Sequence, residues 1–340
     1  MKKQTEISVI GAGMWGAVLA NLLAREGRTV RAWEFKASTA RSLNGTRAHP
    51  ALPGFRLAKE IKVSTRLEEA VCSPKLLVMA VDSKHVRALS RQINILLKDQ
   101  PLPLIVAVAK GIEAGSLKTV CEVMEEEIPR AHQKTMILTG PSFAVEVAAG
   151  APTKVVLAGK DPDLVKAAAA IIEGGPLRLE LSDDRLGAEL GGALKNVYAI
   201  GSGIIDGLSK AAKNSEAAFL IESASELKRI ITALGGRSHT AWGLSGMGDL
   251  LLTATSAKSR NFRFGREIGK GRTPLEAQRH IKTVVEGFAA LENARALCAK
   301  RAIKTPVINS IWKILYKDHN PSSILEAAGF KRTQHPSGKL

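Results

Sequence analysis

The chain has 340 residues, 45% of them hydrophobic, 24% charged and only 4% aromatic. That hydrophobic share excludes global disorder, and the length allows one large domain or two of ordinary size. Lys and Arg number 49 against 32 Asp and Glu, a net charge of +17, but the cations are spread along the chain and few rings are available to stack on bases, so no nucleic-acid partner is expected.

The longest apolar runs, such as Leu76–Val81 and Leu104–Ala109, reach about a third of the length a bilayer needs, so no membrane span is expected. Glu6, Gly11 and Gly13 break any apolar stretch near the start, so Met1–Ile10 does not read as a signal peptide. Cys72, Cys121 and Cys298 lie far apart and are odd in number. Neither a disulfide framework nor a metal site is expected, and a cytoplasmic location fits best.

Thr5–Ile10 reads as a buried strand ending at Gly11, followed by a helix over Ala17–Arg25 with Val18, Leu19, Leu22 and Leu23 on one face. Strands are expected at Thr29–Trp33, Leu76–Val81, Leu104–Val108, Thr135–Leu138, Thr153–Ala158 and Leu177–Leu181. Helices are expected at Val86–Leu97, Ser116–Glu127 and Pro162–Glu173. Continuous apolar strands alternating with helices predict an α/β class, a Rossmann-like doubly wound sheet. After Ser182 no strand is evident. Helices are expected over Arg185–Leu208, Glu216–Leu234, Pro274–Ala302 and Val307–Tyr316, an all-α second domain. The organisation is therefore 1–182, 183–330 and a basic tail 331–340.

Gly11-Ala12-Gly13-Met14-Trp15-Gly16 is a G-x-G-x-x-G placed between strand and helix. Gly11 allows a tight turn, Gly13 lets backbone approach a pyrophosphate, and Gly16 lets the helix pack on the strand. The helix N-terminus offers N–H groups and a positive dipole end to phosphates. Glu34, at the end of the second strand, is placed to accept hydrogen bonds from the adenosine ribose hydroxyls, which favours NAD. Lys36, Arg31 and Arg41 are near enough in sequence to compensate a 2′-phosphate.

Further on, Lys195-Asn196 lies in a helix flanked by Gly191-Gly192 and by Gly201 and Gly203. Glycine costs a helix about 1 kcal/mol against Ala, so close approach, as by a ligand, is expected there. Gly246-Met247-Gly248-Asp249 reads as a tight turn ending in a carboxylate, with an N-cap as the plainer role for Asp249. Ser259-Arg260-Asn261 offers a cation and amide donors suited to phosphate.

These segments, with Lys110-Gly111-Ile112-Glu113, Gly140-Pro141-Ser142-Phe143-Ala144, Glu189–Val197, Gly248-Asp249-Leu250 and Val284-Val285-Glu286-Gly287, make the chain resemble the bacterial-type NAD(P)-dependent glycerol-3-phosphate dehydrogenases over nearly its whole length. The resemblance implies interconversion of dihydroxyacetone phosphate and sn-glycerol 3-phosphate, the phospholipid precursor, with NAD or NADP as cofactor, no metal, and a homodimer. It implies that Lys195 is the acid/base and Asp249 its support. Lys110, Gly140, Ser142, Ser259, Arg260 and Asn261 would join them at the substrate. Met14, Trp15, Lys110, Ala144, Arg260, Val284 and Glu286 would touch the cofactor beside Gly11, Gly13, Gly16, Glu34 and Lys36.

Four segments depart from the family pattern. Trp33-Glu34-Phe35 lacks the usual 2′-phosphate contact, Val81-Asp82-Ser83 changes a loop, Ile221-Glu222-Ser223 reverses a charge, and Thr253-Ala254-Thr255 drops a cysteine. A dehydrogenase of another hydroxy acid and a non-catalytic nucleotide sensor are the competing readings. Ser259-Arg260-Asn261 and Lys195-Asn196 disfavour the first, and the intact Lys195–Asp249 pair disfavours the second.

Overall fold

The computed structural model describes residues 6–25, 28–209, 212–282 and 284–330. Thr5 and the expected basic tail 331–340 lie outside them. The chain divides into two compact units, Met1–Glu189 and Leu190–Leu340.

Among the described residues the first unit carries ten strands: β1 (Glu6–Ile10), β2 (Thr29–Trp33), β3 (Ala48–His49), β4 (Leu52–Arg56), β5 (Lys62–Ser64), β6 (Leu76–Met79), β7 (Leu104–Ala107), β8 (Thr135–Thr139), β9 (Thr153–Gly159) and β10 (Leu177–Ser182). Eight form one sheet in the order β10-β9-β8-β7-β6-β1-β2-β5. The strands of its middle are apolar and buried on both faces, as a doubly wound sheet requires. The sheet is not uniformly parallel, because β8 and β9 run antiparallel. Their connection holds only the five-residue helix Ala144–Ala148, and the chain returns along the edge instead of crossing the sheet. The antiparallel β3–β4 hairpin, short and interrupted by Pro53 and Gly54, and the three-residue β5 gave no sequence signal.

The strand order reverses between β1 and β6, since β1 leads outward to β2 and the later chain builds from β6 on the other side. The crevice beyond the strand ends at such a reversal is where open α/β sheets bind ligands. Gly11 and Ala80 follow those two strands, and the helix Met14–Leu23 starts there. This start lies earlier than the Ala17 expected from the apolar face, because Gly13 rather than an apolar residue provides the N-cap.

In the second unit every regular element among the described residues is helical. The helix Arg185–Leu208 has both expected ends. The single helix expected over Pro274–Ala302 is two, Pro274–Ile281 and Glu286–Lys300. Lys282 ends the first in a left-handed conformation, φ +58, and no further helical hydrogen bond can follow such a cap. Gly191, Gly201, Gly203 and Gly207 of Arg185–Leu208 face protein. A Cβ on Gly203 would lie 2.1 Å from the Phe262 carbonyl oxygen, and one on Gly265 would lie 2.0 Å from that of Ile200. Arg185–Leu208 and Arg260–Gly269 therefore touch backbone to backbone.

Glu226, on the helix Lys213–Ala233, is buried and accepts the backbone N–H groups of Val307 (2.8 Å) and Ile308 (3.0 Å) at the start of the helix Pro306–Tyr316. Tyr198 donates to the same carboxylate at 3.4 Å. Burial outweighs these bonds and pushes the carboxyl up to about 7. Between the ordinary carboxylate value and pH 7 the folded chain thus holds a proton that the unfolded chain has lost. This contribution to stability is present in acid and is lost as pH rises to about 7, by roughly 3 kcal/mol. Urea unfolding at pH 5 and pH 8 should show Glu226→Gln gaining stability relative to the parent at the higher pH. A pH-independent difference between the two would contradict the assignment.

Candidate active site

In the first unit the glycine turn is closed on one side and open on the other. Gly11 has φ +103, and a Cβ there would lie 2.5 Å from the Ala80 carbonyl oxygen. A Cβ on Gly16 would lie 1.9 Å from the Gly11 carbonyl oxygen. A Cβ on Gly13 would meet nothing within 4 Å, and Gly13 and Met14 are exposed. The turn is thus packed tightly against the sheet yet leaves backbone accessible at the helix N-terminus, where a pyrophosphate fits. Trp15 is partly buried on the core.

Glu34 follows β2 and is buried, and its carboxylate accepts the Lys36 N–H at 2.8 Å. The same backbone N–H fixes the carboxylate near the end of β2, where a ribose is expected. Arg31, one of the cations considered for compensation, instead pairs with Glu6 at 3.3 Å. At the Gly140 carbonyl, Lys110 donates through Nζ (3.5 Å) and Ser142 through Oγ (3.0 Å). Three expected substrate residues thus meet at one oxygen. Gly140 has φ +137, which only glycine adopts without strain. Ala144 opens the short helix after this loop. In the altered Val81-Asp82-Ser83 loop, a Cβ on Gly111 would lie 2.6 Å from the Ser83 hydroxyl, so this loop packs on the one carrying Lys110.

In the second unit Lys195 Nζ pairs with Asp249 Oδ1. Asp249 is fully buried and the Lys195 side chain is 12% exposed. The segment Leu244–Gly248 is a π-helical turn, not the isolated tight turn expected, and it runs straight into the helix Asp249–Ala254. Asp249 is therefore the first residue of that helix and Gly248 is its N-cap. This leaves the Asp249 carboxylate for the lysine. A Cβ on Gly191, four residues before Lys195 on its helix, would lie 2.4 Å from the Ser245 carbonyl oxygen. The glycine flanking Lys195 is thus needed by the π-helical turn, not by a ligand.

One turn of chemistry is shared around Glu286. Its Oε2 accepts from Asn196 Nδ2 (3.0 Å) and its Oε1 pairs with Arg260 Nη2 (3.0 Å). The Asn261 side-chain oxygen accepts the Gly287 N–H at 2.8 Å, and Ser259 caps the helix Arg260–Gly269 by accepting from Phe262 at 3.2 Å. Of the three residues expected at phosphate, Arg260 is partly exposed, whereas Ser259 and Asn261 are buried in internal bonds. Val284 is exposed. Asn196 was not among the expected site residues. Its signal was only its place beside Lys195, about 100° around a helix and hence on a neighbouring face. Glu222 and Ile221, where a family charge is reversed, are exposed.

Two family models match the chain. One, described as NAD-dependent glycerol-3-phosphate dehydrogenase N-terminus, covers residues 6–165, and the other, the C-terminus of the same enzyme, covers 184–326. The chain is similar to the glycerol-3-phosphate dehydrogenase (NAD(P)+) of Fusobacterium nucleatum, 37% identical over 93% of this chain and 93% of that protein. A relative of the same name from Limosilactobacillus fermentum is 35% identical over 96% of each. Among solved structures, the glycerol-3-phosphate dehydrogenase of Coxiella burnetii is 31% identical with a TM-score of 0.87, over 95% of this chain and 98% of that one.

The tight approach at Gly287 allows a test of the cluster. A Cβ there would lie 2.3 Å from the Asn196 carbonyl oxygen and 2.9 Å from Asn261 Oδ1. Gly287→Ala should cost about 1–3 kcal/mol of stability by forcing these backbones apart, read as a lowered Tm. An unchanged Tm would show that the two helices separate freely.

Proposed function

Because the chain belongs to the NAD-dependent glycerol-3-phosphate dehydrogenase family, we propose that its first unit holds the dinucleotide and that the Lys195–Asp249 pair of the second supplies the proton chemistry. The protein is an NAD(P)-dependent oxidoreductase that interconverts dihydroxyacetone phosphate and sn-glycerol 3-phosphate. The observation carrying the residue assignment is a lysine held by a fully buried carboxylate. When bound, the reduced nicotinamide supplies a hydride to the ketone carbon.

Negative charge then grows on the carbonyl oxygen. The Lys195 ammonium stabilises that charge and donates the proton that completes the alcohol, and in the reverse direction the amine takes it back. Asp249 pairs with the ammonium and fixes its direction. Arg260 is the charged contact for the phosphate, and binding energy gained there positions the carbonyl. The internal bonds of Ser259 and Asn261 support a part for both in holding the helix end from which Arg260 projects. Lys110, from the loop after β7, and Gly140 and Ser142, from the loop after β8, form the substrate-facing part of the first unit. Gly13, Met14, Trp15, Lys36, Ala144, Val284 and Glu286 complete the dinucleotide contacts, and Gly11 and Gly16 shape the turn that presents them. The product serves phospholipid synthesis, the compartment is the cytoplasm, and the assembly is a homodimer. The three cysteines, all unpaired, support the compartment, and family resemblance supports the assembly. No helix among the described residues is long and apolar enough to cross a membrane.

The purified chain should oxidise NAD(P)H only on addition of dihydroxyacetone phosphate, and preference for an unphosphorylated keto acid would refute the reading. Lys195→Met should lower kcat by roughly 10²–10⁴ while cofactor binding survives. A variant retaining half the parental kcat would remove Lys195 from the mechanism.

NADH should serve at least as well as NADPH. The Glu34 carboxylate would repel a 2′-phosphate by up to roughly 4 kcal/mol per unit charge at about 4 Å, before screening. In kcat/KM measured for both cofactors, Glu34→Gly should move the ratio toward NADPH. A parent preferring NADPH tenfold, or a glycine variant with the parental ratio, would reduce Glu34 to a structural acid.

A further inference from the structure

His49 ends β3, in the hairpin that the sequence did not signal, and it is buried. Both nitrogens of its ring are engaged. Nδ1 accepts the Ala51 N–H at 3.1 Å and therefore carries no proton. The proton sits on Nε2, which donates to the Ala12 carbonyl at 3.2 Å. Ala12 is the residue between Gly11 and Gly13 in the phosphate-binding turn.

A trans peptide unit is planar, with its C=O and N–H on opposite sides. Holding the Ala12 carbonyl on His49 turns the Gly13 N–H, in the same peptide unit, away from His49. Gly13 is exposed and open, whereas Gly11 and Gly16 are closed against protein. The orientation of this one peptide plane thus decides whether the open residue of the turn presents a donor or an acceptor to an anion.

We propose that His49 is a positioning residue for the dinucleotide: its imidazole holds the Ala12–Gly13 peptide so that the Gly13 N–H faces the pyrophosphate. The proposal rests on the reading of the glycine turn as the cofactor site. Burial holds the imidazole below its ordinary value, against the pull of the Ala12 carbonyl and Glu34, so the ring stays neutral and keeps this pattern of donor and acceptor. A second proton on Nδ1 would face the Ala51 N–H, donor against donor.

NADH titrations by fluorescence on the full chain, with steady-state kinetics, test this. His49→Leu keeps bulk and removes both polar groups. His49→Gln carries an amide donor out to the Nε2 position, and His49→Asn reaches only the Nδ1 position. Leu and Asn should raise the NADH Kd about five- to tenfold, the loss of one hydrogen bond. Gln should stay within about twofold of the parent. In all three, kcat at saturating NADH and KM for dihydroxyacetone phosphate should be unchanged. A folded His49→Leu chain with the parental Kd overturns the proposal, and so does a Gln variant weakened as much as Leu, which would make His49 a packing element. Should the leucine variant fail to fold, the contrast between Gln and Asn decides. A parent with no saturable NADH binding would overturn the cofactor reading and the proposal together, whereas parental binding indifferent to His49 overturns the proposal alone.

Discussion

The second unit is organised around a carboxylate that water does not reach. A buried Asp249 without a cation would be an uncompensated charge, and breaking such a pair costs about 3–5 kcal/mol. The chain meets that demand with backbone. Gly191 admits the carbonyl of Ser245, the π-helical turn Leu244–Gly248 follows, and the helix Asp249–Ala254 begins at the residue whose side chain must face Lys195. A regular α-helical turn in place of Leu244–Gly248 would rotate Asp249 around its axis. Rare π turns tend to persist where a side chain has to be aimed.

The same logic governs the contact between Arg185–Leu208 and Arg260–Gly269. Side-chain interfaces adjust by rotamer changes, but two backbones in contact have none to change. Lys195 and Asn196 lie on the first of these helices and Arg260 opens the second, so the cation proposed for phosphate and the proposed proton donor are fixed on one frame. Glu286 closes it by taking both Asn196 and Arg260.

Much of this was legible in the sequence, for physical reasons that differ by element. Strands buried on both faces are continuous apolar runs, so β1, β6, β7 and β8 were found nearly to the residue. Arg185–Leu208 was found to both ends because it carries a long apolar pattern. The β3–β4 hairpin and β5 were missed because two to five residues carry no period, and with them went the setting of His49. The break at Lys282 was missed because a lysine in left-handed conformation has no compositional mark. The glycines around Lys195 were recognised as needing space, but sequence cannot say what fills it, and at Gly191, Gly201 and Gly203 protein does. The paired Lys195 and Asp249 stand 54 positions apart, and only the family pattern linked them in advance.

A frame of touching backbones also behaves as a ruler. With the proposed roles, a substrate spanning from Arg260 to Lys195 would have its length compared with a spacing set by these two helix backbones. Lengthening the carbon chain by one atom displaces the carbonyl by about 1.5 Å, and errors of about 1 Å at a reacting centre cost roughly a hundredfold in rate. Selection among phosphorylated ketones would then follow chain length more sharply than charge, since every such ketone offers Arg260 the same phosphate.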